Sequence, residues 1–306
     1  VKKTIEAIES IADDEDESKY NKFYEAFSRN LKLGIHDDRH NRERLTKLLR
    51  FRSSHFENAE DQSESARAAA ANTLYSLDDY VGRMKESQKD IYYVIGESTS
   101  MVASSPFVER IRARGFEVLY MVDAIDEYSM QQIKEYDGHK FVSATEEGLT
   151  LPGDAEDDTK DLQEQYKPTC ARVKEILGDR VESVVISQRM ENSPCCLVSG
   201  KYGYSANMQR ILKAQALRDA QSMMMVPSKK IMELNPQHLL VRQIHAAAPK
   251  QDKASKQVVG DLSWMLFETA LLTSGFTLDS PANFADRIHR LVANGMGVST
   301  ADTPTP

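Results

Sequence analysis

Several groups of residues have types and spacings that could do chemistry. Gly96-Glu97-Ser98-Thr99-Ser100 follows a strand-like run and leads into a helix, where an α/β protein can cradle phosphate on helix N–H groups. It lacks the spacing of a P-loop and the glycines of a dinucleotide fingerprint, so an ordinary strand-to-helix turn is the simpler reading. His36 and His40 lie four apart and could face one metal from a helix. The stretch follows Gly34, however, and Asp37 or Asp38 reads as the N-cap of a following helix. Cys170, Cys195 and Cys196 have neither metal-site spacing nor a disulfide pattern. No histidine stands beside them to activate a thiol, and small buried apolar residues describe them better. No two acids stand out as a general acid and base. The sequence therefore offers neither a catalytic constellation nor a metal site.

Methionine is more suggestive. Five of the 12 fall between 208 and 232: Met208, Met223, Met224, Met225 and Met232. Flexible thioethers adapt to varied apolar partners, so promiscuous binding surfaces use them. The alternative, that they cap a local core, stays open.

The elements that would position these residues come in two grammars. Tyr20, Phe23, Tyr24, Phe27 and Leu31 make one helical stripe, with Gly34 as its expected end. Val1, Ile5, Ile8 and Ala12 make a stripe before it, and Leu45, Leu48 and Leu49 one after it. Short helices of this kind need each other to bury their stripes, so a helical segment is expected over 1–90. Within it, 57–73 breaks the pattern and reads as a mobile insertion. From residue 91 the pattern alternates. Apolar runs at 91–95, 118–122 and 141–143 are separated by helical stretches, which predicts a small, largely parallel α/β/α sandwich over 91–148. An acidic linker, preceded by Gly148 and carrying Pro152, Gly153 and Pro168, spans 149–168. A second α/β domain over 169–298 reads as a helix, two strands at 181–187 and 195–199, a helix over 205–217, a Met-rich loop and three more helices. A disordered tail covers 299–306.

The 306 residues carry 41% hydrophobic and 28% charged residues with a net charge of -8, which suits a soluble protein and disfavours nucleic acid as a partner. No run of about 18 apolar residues exists to span a membrane. The first residues, Val1-Lys2-Lys3-Thr4-Ile5, read as the inside of a helix, so the chain is expected to be cut from a longer one. At the other end, a helix over 258–272 is apolar on two sides: Val259, Leu262 and Leu266 on one, Trp264, Phe267 and Leu271 on another. A second helix follows, with Ser280 as cap and the stripe Phe284, Ile288, Leu291 and Val292. Little chain remains to cover them. A second copy would do so, giving a four-helix bundle across a two-fold axis. Packing on the helices' own domain is equally compatible with the pattern.

Beyond these readings, the chain carries Asn30-Leu31-Lys32-Leu33-Gly34-Ile35-His36, Ser105-Pro106-Phe107-Val108-Glu109-Arg110, Asp126-Glu127-Tyr128, Ser193-Pro194-Cys195-Cys196, Ala206-Asn207-Met208, Glu233-Leu234-Asn235-Pro236 and Glu268-Thr269-Ala270-Leu271-Leu272-Thr273-Ser274-Gly275-Phe276. In this order they resemble the C-terminal half of the heat-shock protein 90 chaperones, over nearly the whole chain. Leu48-Leu49-Arg50-Phe51-Arg52-Ser53-Ser54-His55 and Ser187-Gln188-Arg189 are similar to the endoplasmic-reticulum branch, endoplasmin. That implies residence in the endoplasmic-reticulum lumen, with the cytoplasm as the alternative. The resemblance implies the end of a middle domain followed by a dimerisation domain, in a chaperone that acts as a homodimer with co-chaperones on unfolded clients. Client contact would fall on Met208 and Leu212, and more loosely on Met223, Met224 and Met225. The dimer interface would use Leu262, Leu266, Phe284, Ile288, Leu291 and Val292. Tyr204 stands where many relatives carry Trp. ATP and magnesium would belong to an N-terminal domain of the parent protein, with no cofactor in this fragment. A passive scaffold and a phosphate-binding α/β enzyme are the competing readings.

Overall fold

The computed structural model describes residues 1–55, 72–154, 156–200, 203–216, 230–250 and 252–296. Most of the expected insertion (57–71), Met223, Met224 and Met225, and the tail at 299–306 lie outside the described residues. The chain divides into two units. One is Val1–Glu156 with Gln188–Asn192 and the described part of Ser199–Ser228. The other is Asp157–Ser187, Ser193–Val198 and the described residues after 229.

The first unit opens with α1 (Lys2–Ala12), α2 (Glu17–Asp37) and α3 (Arg42–Lys47). Ile5, Tyr20, Tyr24, Leu31, Leu45, Leu48 and Leu49 bury much of the faces that periodicity picked out, while Val1 and Phe27 of the same stripes are exposed. Helix α2 does not stop at Gly34 as the sequence suggested. Ile35 is fully buried one residue later, and that burial outweighs the roughly 1 kcal/mol cost of a mid-helix glycine. The glycine serves close approach instead: a Cβ there would stand 3.1 Å from Leu45 Cδ1.

The strands β1 (Arg50–Ser53), β2 (Tyr75–Ser76), β3 (Ile91–Ile95), β4 (Val118–Met121), β5 (Glu135–Tyr136) and β6 (His139–Ser143) form one sheet in the order β2-β1-β4-β3-β6-β5. Its centre is parallel, β3 pairing with β4 and with β6, and its edges are antiparallel. The helices α4 (Leu77–Arg83), α5 (Thr99–Ala103), α6 (Glu109–Ala113) and α7 (Asp126–Gln132) connect the strands. Helix α4 has the capping box that Ser76 and Asp79 announce. A buried ion cluster joins the two grammars: Lys32 Nζ of α2 lies 2.7 Å from both Asp123 and Asp126.

The second unit begins with α8 (Glu156–Leu177), which replaces the latter part of the expected 149–168 linker. Tyr166, Thr169, Cys170, Val173 and Leu177 are buried at helical spacing while Pro168 faces solvent, so docking carries the helix through the proline. Strands β7 (Ser183–Ile186), β8 (Cys195–Ser199) and β9 (Lys230–Leu234) form a sheet in the order β7-β9-β8, with β7 parallel to β9. The helices α10 (Leu239–Ala247), α11 (Lys253–Thr273) and α12 (Pro281–Gly295) follow. The chain is thus a mixed α/β fold, as the sequence predicted. No helix among the described residues is long and apolar enough to cross a membrane.

Candidate client and dimer surfaces

The Gly96 turn is a structural joint. Gly96 N donates to Met121 O, and a Cβ at Gly96 would meet Val102 Cγ1 at 2.5 Å. Ser98 accepts from Met101 N as the cap of α5. His36 Nδ1 pairs with Asp37 at 2.8 Å rather than with His40. The cysteines are all buried and unbridged. Burial pushes the Cys170 thiol up to about 11 and the Cys195 thiol up to about 12, so neither is a nucleophile at neutral pH.

In the first unit, α9 (Ala206–Ala216) carries two of the residues expected to touch clients. Met208 and Leu212 are four apart and share one face. Met208 is only 5% exposed, whereas Leu212 is half-buried and Tyr204, just before the helix, is exposed. Met232, grouped by the sequence with the flexible methionines, lies instead in the central strand β9 of the second unit and is fully buried.

The start of α9 is held by residues that spacing did not single out. Ser205 Oγ accepts from Met208 N at 3.0 Å, capping the helix, and donates to Glu127 Oε1 at 2.7 Å. Asn207 Nδ2 donates to the same oxygen at 3.2 Å. Arg210 donates to Asn207 Oδ1 at 2.7 Å and pairs with Glu97 at 2.9 Å. Glu127 is buried, and burial raises its carboxyl above the ordinary value while the bonds from Ser205 and Asn207 pull it down. Ser205 could be read as a cap from sequence. Its carboxylate partner is 78 residues away, beyond any local pattern.

In the second unit, α11 buries Val259, Ser263, Leu266, Phe267, Glu268, Ala270 and Leu271. Leu266 is buried, and its carbonyl accepts from Cys195 Sγ of β8 at 3.3 Å. Trp264 and Glu268 face α12: Arg287 stacks over the Trp264 ring at 4.9 Å and pairs with Glu268 at 2.9 Å. Leu262, Phe284 and Ile288 are half-buried. Leu291 and Val292 remain 46% and 54% exposed, and Met296 beyond them 74%. Of the six expected interface residues, Leu266 is sheathed within its own unit, and Leu291 and Val292 are the most open.

A family model described as "Hsp90 protein" matches residues 1–305. The chain belongs to the Hsp90 family. It is similar to Heat shock protein 83 of Leishmania donovani, 40% identical over 304 residues that cover 97% of this chain and 62% of that protein. It is also similar to Heat shock protein 90-5, chloroplastic, of Arabidopsis thaliana, 40% identical over 300 residues covering 97% of this chain and 36% of the relative. The Endoplasmin homolog of Arabidopsis thaliana is 36% identical over 301 residues, covering 97% of this chain and 34% of the relative. The chain therefore spans less than two thirds of the length of these Hsp90 relatives. Their similar identities do not single out the endoplasmin branch.

Proposed function

We propose that this chain is the dimerising and client-contacting part of an Hsp90-type, ATP-driven chaperone. Its own residues supply surfaces rather than catalysis. The observation that carries the reading is the open stripe of α12. A helix whose apolar side includes Leu291 at 46% and Val292 at 54% exposure is suited to a partner, and a second copy presents the same stripe to it across a two-fold axis. Pairing two protomers here would keep the rest of each parent chain at high effective concentration, so that their transient closure becomes frequent. ATP and magnesium would be held by residues outside this chain, and closure would work on clients and co-chaperones through it. The endoplasmic-reticulum lumen is the proposed compartment, supported by the 48–55 and 187–189 stretches and by the endoplasmin homolog among the relatives; the cytoplasm is the second reading.

Clients would meet the Met208–Leu212 face of α9, with Leu212 and Tyr204 the accessible members. Burial of Met208 favours one competing reading, a scaffold without a client role. Leu212→Ser separates the two, because Leu212 is half-buried and its loss leaves the helix cap intact. Weaker suppression of aggregation of a heat-unfolded test protein, at unchanged circular dichroism, supports client contact. Wild-type suppression by the variant supports the scaffold.

A further inference from the structure

We propose that Glu127 is the positioning residue of the client helix, a buried carboxylate that fixes where the first turn of α9 sits; the inference rests on the client-contact reading of α9. Two bonds reach it, and one of them relays a third. The Met208 amide donates to Ser205 Oγ, Ser205 Oγ donates to Glu127 Oε1, and Asn207 Nδ2 donates to that same oxygen. A negative charge reaches the helix N-terminus through one hydroxyl, where the exposed N–H groups favour it. On the other side of the turn, Arg210 links Asn207 to Glu97 at the β3–α5 joint. The turn is thus gripped from two places on the α/β segment.

The base of the grip is itself fixed. Glu127 follows Asp126, whose carboxylate pairs with Lys32 at 2.7 Å and accepts from Asp123 N at 3.0 Å. Both carboxylates are buried. Packing alone would be served better by an apolar side chain at 127, since taking a carboxylate out of water is costly unless its bonds are made. What the carboxylate adds is direction. Only one placement of the turn satisfies both donors, and that placement sets the azimuth of Met208 and Leu212.

Hydrogen exchange of the whole chain tests this. Glu127→Ala should raise exchange of the 206–216 amides about tenfold, the scale of a lost helix cap and its bonds, with β3 and β4 unchanged. Glu127→Gln keeps an acceptor oxygen and should hold most of the protection. Ser205→Ala, at a half-buried site, removes the relay while leaving the carboxylate in place with its bond from Asn207 and should raise exchange in the same amides. Wild-type exchange over 206–216 in Glu127→Ala or Ser205→Ala overturns the proposal, as does a rise spread equally over β3 and β4. Exchange decides positioning and the Leu212→Ser aggregation assay decides client contact, so either can fail without the other.

Discussion

Leu291→Asp is the sharpest test of the proposed two-fold interface, because the structure separates its effect on folding from its effect on association. Leu291 is 46% exposed within the protomer, so the lone subunit already shows about half of that side chain to water. Covering that half on association is worth about 1 kcal/mol, and a two-fold interface counts it twice. Placing a carboxylate there on each copy instead adds about 3 kcal/mol or more of desolvation in all, without a partner. The total of about 5 kcal/mol corresponds to a rise of at least about a thousandfold in the dimer dissociation constant. The cost to the isolated subunit is about 1.5 kcal/mol, the loss of the half already buried together with a negative charge near a helix C-terminus. Analytical ultracentrifugation across a dilution series reads the first quantity and thermal denaturation at low concentration reads the second. Leu266→Asp is the contrast: at 4% exposure it should unfold the second unit before it says anything about association. A Leu291→Asp dimer with the wild-type dissociation constant would refute the reasoning. So would loss of folding as severe as that of Leu266→Asp.

Lys32→Met should destabilise the first unit by about 3–5 kcal/mol in thermal or urea unfolding, because it strands the buried Asp126 carboxylate; adding Asp126→Asn should recover most of that loss. Arg287→Ala removes both the Glu268 pair and the Trp264 stack and should cost about 2 kcal/mol or more of α12 docking, seen as faster exchange confined to α12. Arg287→Lys should recover little of it, since an ammonium does not reproduce the planar stack.

The elements that were legible in the sequence are those whose burial pattern is one-dimensional. Strands β3 and β4 are nearly continuous apolar runs because both sheet faces are covered, and α2 shows its stripe over three turns. Strand β9 was not legible. Lys230-Ile231-Met232-Glu233-Leu234 buries a glutamate beside its apolar residues, which hides a central strand behind a helix-like composition. Helix α8 was cut short in the reading because Pro168 looks like a boundary, yet the proline occupies the solvent side and the stripe from Tyr166 to Leu177 runs past it. For the proposed client surface, the i, i+4 spacing of Met208 and Leu212 was readable. Their anchorage was not, since Glu127, Glu97 and Arg210 meet only through the fold.

The closing helices show why an apolar-all-round pattern left two readings open, and how the structure divides it. One side of α11, with Val259, Leu266, Phe267 and Ala270, is consumed within its own unit. A second, with Trp264 and Glu268, receives Arg287 of α12. A third remains: Val258, Leu262, Met265 and Leu272 recur at helical spacing, and each is half-buried or exposed. Helix α12 alone has 15 residues, and its apolar stripe is a fraction of them. A stable interface takes about 20–30 residues from each partner. If two copies pair durably, α12 cannot do it unaided, and the third stripe of α11 is the uncovered apolar surface on its neighbouring helix. A pair of helices from each subunit offers more apolar surface than α12 alone, which favours the proposed four-helix bundle over a single helix crossing its twin.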